Sequence, residues 1–177
     1  MTTPTTPRII ITGFMGAGKT TVVRALAAEL QCDWLDLDAF IVARTGRTVP
    51  ALIAADGEAG FRALESEALA AALAGTVRII ALGGGAWPGA HNRALVAAHN
   101  CVVVWLDAPF ELCWRRIARS ADERPLAPDV TTARTLYDER RTYYQLAAHR
   151  ISVGATQSAH EIAAEILTRL AQEQKIS

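Results

Sequence analysis

With 177 residues, 51% hydrophobic and 20% charged, the chain has the composition of one ordinary globular domain with a real core, not of a disordered segment. Its 18 basic and 18 acidic residues balance, so no net field points to nucleic acid or an anionic membrane. Cys32, Cys101 and Cys113 form neither a zinc pattern nor a disulfide framework, no apolar run approaches the ~18 residues of a membrane span, and Met1 to Pro7 lacks the apolar core of a signal peptide. These features lead us to expect a soluble, cytoplasmic, monomeric protein in a reducing compartment.

The first element is a strand. Arg8-Ile9-Ile10-Ile11-Thr12 is a short β-branched run suited to a buried parallel strand. It leads into Gly13-Phe14-Met15-Gly16-Ala17-Gly18-Lys19-Thr20, which fits G-x-x-x-x-G-K-T, a P-loop. Glycines let the backbone N–H groups approach a phosphate at the positive end of the next helix. Lys19 supplies a mobile cation for the β- and γ-phosphates, and Thr20 a hydroxyl for Mg²⁺. Val22, Val23, Leu26 and Leu30 follow at helical spacing. Of the 18 basic residues only Lys19 and Lys175 are lysines, so a chain that otherwise uses arginine keeps a compact ammonium here.

Trp34-Leu35-Asp36 reads as a second strand. Ala39 to Ala55 has helical character interrupted near Gly46, and Glu58 to Leu73 sets Phe61, Leu64, Ala68 and Leu73 roughly on one helical face. Val77 to Leu82 is a third strand, closed by Gly83-Gly84-Gly85. Residues 89–99 are weakly helical, Cys101 to Leu106 is a fourth strand, and Pro109 opens a helix to about Arg119. Ser120 to Asp129 is charged and holds Pro125 and Pro128, so it reads as a loop. Thr131 to Ala147 is helical, His149 to Val153 is a fifth strand, and Ser158 with Glu161 makes a capping box for a last helix. Alternating strands and helices imply an α/β fold, a parallel sheet covered on both faces in a single domain. Ligands of such sheets sit at the carboxyl ends of the strands, where the P-loop, Asp36 and Asp38, and the triple glycine converge.

Several side chains near that crevice carry chemistry. Asp36 and Asp38, at i and i+2, share a face if the backbone is extended; one can hold Mg²⁺ and the other can accept a hydrogen bond from an attacking hydroxyl. The competing role is structural, because Asp38 stands where a helix N-cap belongs. Arg62 and Glu65 are close enough to pair, either as a solvated ion pair or as an arginine oriented towards a substrate carboxylate beside Phe61. Three glycines at a strand's end let a ligand approach the backbone. The loop with Arg119, Glu123, Arg124 and Pro125 reads as a mobile lid that brings an arginine to the transferring phosphoryl group.

From about Arg8 to Leu170 the chain resembles the shikimate kinases, P-loop enzymes of the nucleoside-monophosphate-kinase-like group. The parts that carry the likeness are GFMGAGKT at 13–20, DLD at 36–38, GEAGFRALE at 57–65, GGG at 83–85, RPL at 124–126, and ER at 139–140 with Tyr144 following. The resemblance implies a three-layer sandwich on a five-stranded parallel sheet, a substrate-binding segment at about 38–66 and a lid at about 119–130. It implies transfer of the ATP γ-phosphate to the 3-hydroxyl of shikimate, with Mg²⁺, on the route to aromatic amino acids. By position, Gly13, Met15, Gly16, Ala17, Gly18, Lys19, Thr20 and Thr21 would hold ATP, with Arg119 against the adenine. Thr20 and Asp36 would serve the metal. Asp38, Phe61, Arg62, Gly83, Gly84, Gly85, Arg124 and Arg140 would bind the acceptor, and Lys19, Asp38 and Arg124 would be catalytic. The chain departs from the family at Ile53, often Phe, at Thr142-Tyr143, usually Pro-Leu, and in a slightly short lid.

A kinase for another small polyol acid, such as a gluconate-kinase-like enzyme, would also use a P-loop and a few arginines; FRxxE followed by GGG argues against it. A guanine-nucleotide switch would need an N-K-x-D motif, and neither lysine lies in one. Intact Lys19, Thr20, Asp36 and Asp38 argue against a non-catalytic nucleotide binder.

Overall fold

The computed structural model describes residues 7–120 and 125–174. Five strands, β1 (Arg8–Thr12), β2 (Trp34–Asp36), β3 (Ile79–Ala81), β4 (Cys101–Asp107) and β5 (His149–Ser152), form one all-parallel sheet in the order β2-β3-β1-β4-β5. Among the described residues seven helices connect and cover them: α1 (Lys19–Leu30), α2 (Leu37–Thr45), α3 (Val49–Ala74), α4 (Ala90–Ala97), α5 (Phe110–Arg119), α6 (Val130–Tyr144) and α7 (Ala159–Gln174). Central strands of such a sheet are covered on both faces and read as unbroken apolar runs. Ile9, Ile10 and Ile11 in β1, Ile79 and Ile80 in β3, and Val104 to Leu106 in β4 are accordingly buried. Edge strand β2 leaves Trp34 exposed.

Element boundaries differ from the expected ones for local reasons. β3 is only Ile79–Ala81, because its partner β2 ends at Asp36, paired with Ala81, where the chain turns into α2. That helix starts at Leu37, two residues before the expected start, and its N-cap is Asp36, whose carboxylate accepts from the Ala39 N–H. The N-cap role is therefore not Asp38's; Asp38 lies in the first turn. The two helical stretches expected on either side of residues 56–57 are continuous in α3 but kinked at Gly57, with φ 70° and ψ 174°. α6 closes at Tyr144 rather than Ala147. The capping box of α7 is present, with the Ser158 N–H donating to Glu161 Oε2 at 2.7 Å and the Glu161 N–H to Ser158 Oγ at 3.2 Å. Among the described residues no helix is long and apolar enough to cross a membrane.

Candidate active site

Strand β1 delivers the P-loop to the carboxyl edge of the sheet, and α5 packs beneath it. Gly16 has φ 77°, and a Cβ there would meet the Cys113 carbonyl of α5 at 2.6 Å, so only glycine keeps the loop seated. Gly18 caps α1 without any side-chain hydrogen bond, which leaves the first N–H groups of α1 open to an anion. Met15, Gly16, Gly18, Lys19, Thr20 and Thr21 line a cleft of about 270 Å³ with Asp36, Asp38, Leu82, Gly84 and Arg116. Gly13 and Ala17 shape the loop from behind: Gly13 sits against the Leu106 carbonyl and Ala17 is buried.

Lys19 Nζ donates to the carbonyls of Gly13 and Phe14, at 2.8 and 2.9 Å. Burial lowers its pKa to about 8, although Asp38 and Asp36 pull it back up. A bound phosphate would favour the charged ammonium. Thr20 Oγ1 donates to Asp36 Oδ2 at 2.6 Å, so the hydroxyl and carboxylate expected at the metal are in contact. Two hard oxygens side by side suit Mg²⁺, which usually takes few protein ligands and completes its shell with phosphate and water. Among the described residues no group of three or more His, Cys, Asp or Glu could hold a metal alone.

A second cleft, about 490 Å³, adjoins the first and shares Met15, Asp38 and Gly84 with it. Its walls are Thr48, Val49, Pro50 and Ile53 at the start of α3, then Phe61, Arg62 and Glu65, then Gly83 to Gly85, Arg140 of α6, and Pro125 and Leu126. At Ile53 the wall is aliphatic, as expected. Arg62 Nη1 donates to Glu65 Oε2 at 2.9 Å and Nη2 to Glu58 at 3.1 Å, with the guanidinium over the Phe61 ring at 5.3 Å. Glu65 is fully buried, so this is not a solvated surface pair. Burial raises the Glu65 pKa, against the pull of Arg62, and among the described residues its Oε1 has no hydrogen-bond partner. Arg140 is only 6% exposed, and its charge acts on the nearby Tyr144 hydroxyl, lowering that pKa against the stronger effect of burial.

The triple glycine makes room for this charge cluster. A Cβ on Gly85 would collide with the Arg62 guanidinium, and one on Gly83 would lie 2.7 Å from Asp38 Oδ1 and 2.9 Å from Glu65 Oε1. None of the three has a positive φ, so close approach, not turn geometry, demands glycine.

The structure thus brings together Met15, Gly16, Gly18, Lys19, Thr20, Thr21, Asp36, Asp38, Phe61, Arg62, Gly83 to Gly85 and Arg140. Arg124 and its neighbours 121–123 lie outside the described residues. Arg119 is the exposed last residue of α5 and lines neither cleft. Arg116, one turn earlier, does: its Nη1 donates to the Gly16 carbonyl at 2.9 Å. The sequence does not single out Arg116; the docking of α5 against the P-loop puts it there.

Comparison with known proteins fits this geometry. The family model described as shikimate kinase matches residues 15–171. The chain belongs to the shikimate kinase family. The shikimate kinase of Thermobifida fusca is 41% identical over 165 residues, 92% of this chain and 94% of that one. The structure of shikimate kinase from Acinetobacter baumannii in complex with shikimate superposes with a TM-score of 0.89 at 35% identity, covering 96% of this chain and 95% of that one. A gluconokinase from Sinorhizobium meliloti shares only the fold, with a TM-score of 0.60 at 19% identity over 94% of this chain and 93% of that one.

Proposed function

We propose that the protein transfers the γ-phosphate of ATP to the 3-hydroxyl of shikimate. The observation that carries this reading is the pair of adjoining clefts. One is lined by P-loop backbone and Lys19; the other holds two buried or half-buried arginines; Met15, Asp38 and Gly84 lie at their junction. Phosphoryl transfer asks a protein mainly for positioning and charge stabilisation, and this junction is where the two substrates would meet in line.

Each side chain then has a task. Lys19 leaves the Gly13 and Phe14 carbonyls for the phosphate oxygens, and the open N–H groups at the start of α1 receive the same anion. Arg116, seated on the Gly16 carbonyl, adds positive charge at the nucleotide side. Thr20 and, directly or through water, Asp36 would hold Mg²⁺, which neutralises charge on the phosphates when bound. Asp38 orients the acceptor hydroxyl and takes its proton. Arg62 and Arg140 grip the shikimate carboxylate, Arg62 with its fork set by Glu65. Phe61 and Ile53 pack the ring. Arg124 is proposed, from its place in the family pattern, to reach the transferring phosphoryl group.

A coupled ATPase assay with shikimate, quinate, gluconate and nucleoside monophosphates as acceptors tests the reading. Turnover with shikimate should exceed that with every other acceptor. Faster turnover with gluconate or a nucleoside monophosphate would overturn it.

A further inference from the structure

Tyr144 is buried to 1% exposure, yet its hydroxyl is spent on one specific backbone atom. Tyr144 Oη donates to the Gly84 carbonyl at 2.5 Å, sixty residues away in sequence. A hydroxyl has one proton, and Oη gives it to Gly84. Burial raises the Tyr144 pKa, which keeps that proton in place at any working pH.

The Gly84 carbonyl is no ordinary acceptor. The Ala86 N–H donates to the Gly83 carbonyl at 3.1 Å, so residues 83–86 form a β-turn with Gly84 and Gly85 at its centre. The peptide between the two central residues of such a turn can point either way, the two orientations being the type I and type II forms. With glycine at both central positions neither form is sterically excluded. Gly85 lacks a positive φ, so the type II form is not the one adopted. In a trans peptide the carbonyl of one residue and the N–H of the next point in opposite directions. Holding the Gly84 carbonyl on Tyr144 therefore turns the Gly85 N–H away from Tyr144. Among the described residues that N–H has no hydrogen-bond acceptor, and Gly85 lines the acceptor cleft.

We propose that Tyr144 is a positioning residue: by fixing the Gly84–Gly85 peptide it presents the Gly85 N–H to an oxygen of the bound acceptor. The assignment rests on the shikimate kinase reading of this cleft. It gives Tyr144 a role beyond filling the core against Trp105, 6.1 Å away between ring centroids. The same helix supplies a built-in control. Tyr137 is also buried, and its hydroxyl also donates to a backbone carbonyl, that of Ala108 at 2.9 Å, but it lines neither cleft.

Tyr144→Phe and Tyr137→Phe keep both rings and each remove one such hydrogen bond. Thermal stability should fall in both. In Tyr144→Phe the kcat/KM for shikimate should also fall about tenfold, mostly through KM, with KM for ATP within about twofold of wild type. Tyr137→Phe should change neither KM by more than about twofold. Should Tyr144→Phe not fold, the wild-type protein still decides: its Gly85 amide NMR resonance should shift when shikimate is added without nucleotide. Shikimate kinetics in Tyr144→Phe that match those of Tyr137→Phe, or a Gly85 amide indifferent to shikimate, would overturn the proposal. If wild type does not phosphorylate shikimate, the substrate reading itself has failed, and the same comparison is made with whichever acceptor it does use.

Discussion

The phosphate cleft and the acceptor cleft meet at Met15, Asp38 and Gly84 but are made of different material. The phosphate side is mostly one contiguous loop, residues 13–21, whose backbone does the binding and whose geometry is fixed by glycine φ angles and by the α5 carbonyl beneath Gly16. The acceptor side is assembled from side chains of α2, α3, the loop after β3, and α6, about a hundred residues apart along the chain. Its polarity comes from buried and half-buried charges that balance one another, Asp38 and Glu65 against Arg62 and Arg140. A backbone site tolerates any triphosphate, whereas a balanced charge cluster selects one acceptor. Substitutions should therefore split into two kinetic classes.

Lys19→Ala should give the largest effect, a loss of about 10²–10³ in kcat, because it removes a charge that matters most as the phosphoryl group moves. Its melting temperature should hardly change, since the hydrogen bonds of the ammonium among the described residues are to two loop carbonyls. Near-normal turnover would break the division at its root.

Gly85→Ala should fall wholly in the other class. Its Cβ must displace the Arg62 guanidinium, so kcat/KM for shikimate should fall about 10- to 100-fold while KM for ATP stays within about twofold. An equal loss for both substrates would show that the clefts do not act separately.

Asp36 and Asp38 sharpen the boundary between them. Asp36→Asn keeps the N-cap of α2, because Asn caps as well as Asp, but weakens the contact with the metal. It should raise the Mg²⁺ concentration needed for half activity several-fold with little loss of stability. Asp38→Asn should instead lower kcat with shikimate at saturating Mg²⁺. Titrations of Mg²⁺ and shikimate on both variants check this; interchangeable profiles would contradict it.

The smallest effect is one of pH. The Lys19 pKa is lowered from 10.5 to about 8 in the free protein. Below about 8 the ammonium is charged in both the folded and the unfolded chain, and the cost of burying it is carried in full. As pH rises from about 8 towards 10.5 the folded chain gives up its proton first, so this group's contribution to stability becomes more favourable. ATP binding follows the opposite course, because a phosphate needs the charged form. Above about pH 8, ATP binding should take up a proton and weaken by up to tenfold per pH unit. Calorimetry in buffers of different ionisation enthalpy measures that uptake, and Lys19→Ala should abolish it.

How much was legible in the sequence follows the same division. The P-loop could be read because each of its constraints is local: a β-branched strand, glycines at fixed spacing, a lysine in a chain of arginines. Arg62 and Glu65 were visible as a pair at i and i+3, but that spacing is the same for a solvated pair and a buried one. Only the packing of α3 over the glycine turn decides it. Asp36 and Asp38 were both named, yet which of them caps α2 depends on where β2 ends, and that is set by its pairing with β3. Arg116 does not stand out in the sequence, because the docking of α5 onto Gly16 leaves no local trace. Tyr144 was noticed only as part of a pattern, since an aromatic residue on a core-facing helix does not announce where its hydroxyl points.

The most direct test of the acceptor cleft compares shikimate with its carboxamide, in wild type and in Arg62→Ala and Arg140→Ala. A desolvated charge pair that loses one partner costs about 2–5 kcal/mol, roughly 30-fold to several thousand-fold in affinity. Wild type should prefer the acid by that margin. Each arginine variant should bind shikimate less well, discriminate far less between acid and amide, and keep its ATP affinity, which closes a double-mutant cycle with the ligand as one partner. An acid preference that survives undiminished in both variants would mean that neither arginine reads the carboxylate, and the acceptor cleft would then need another ligand.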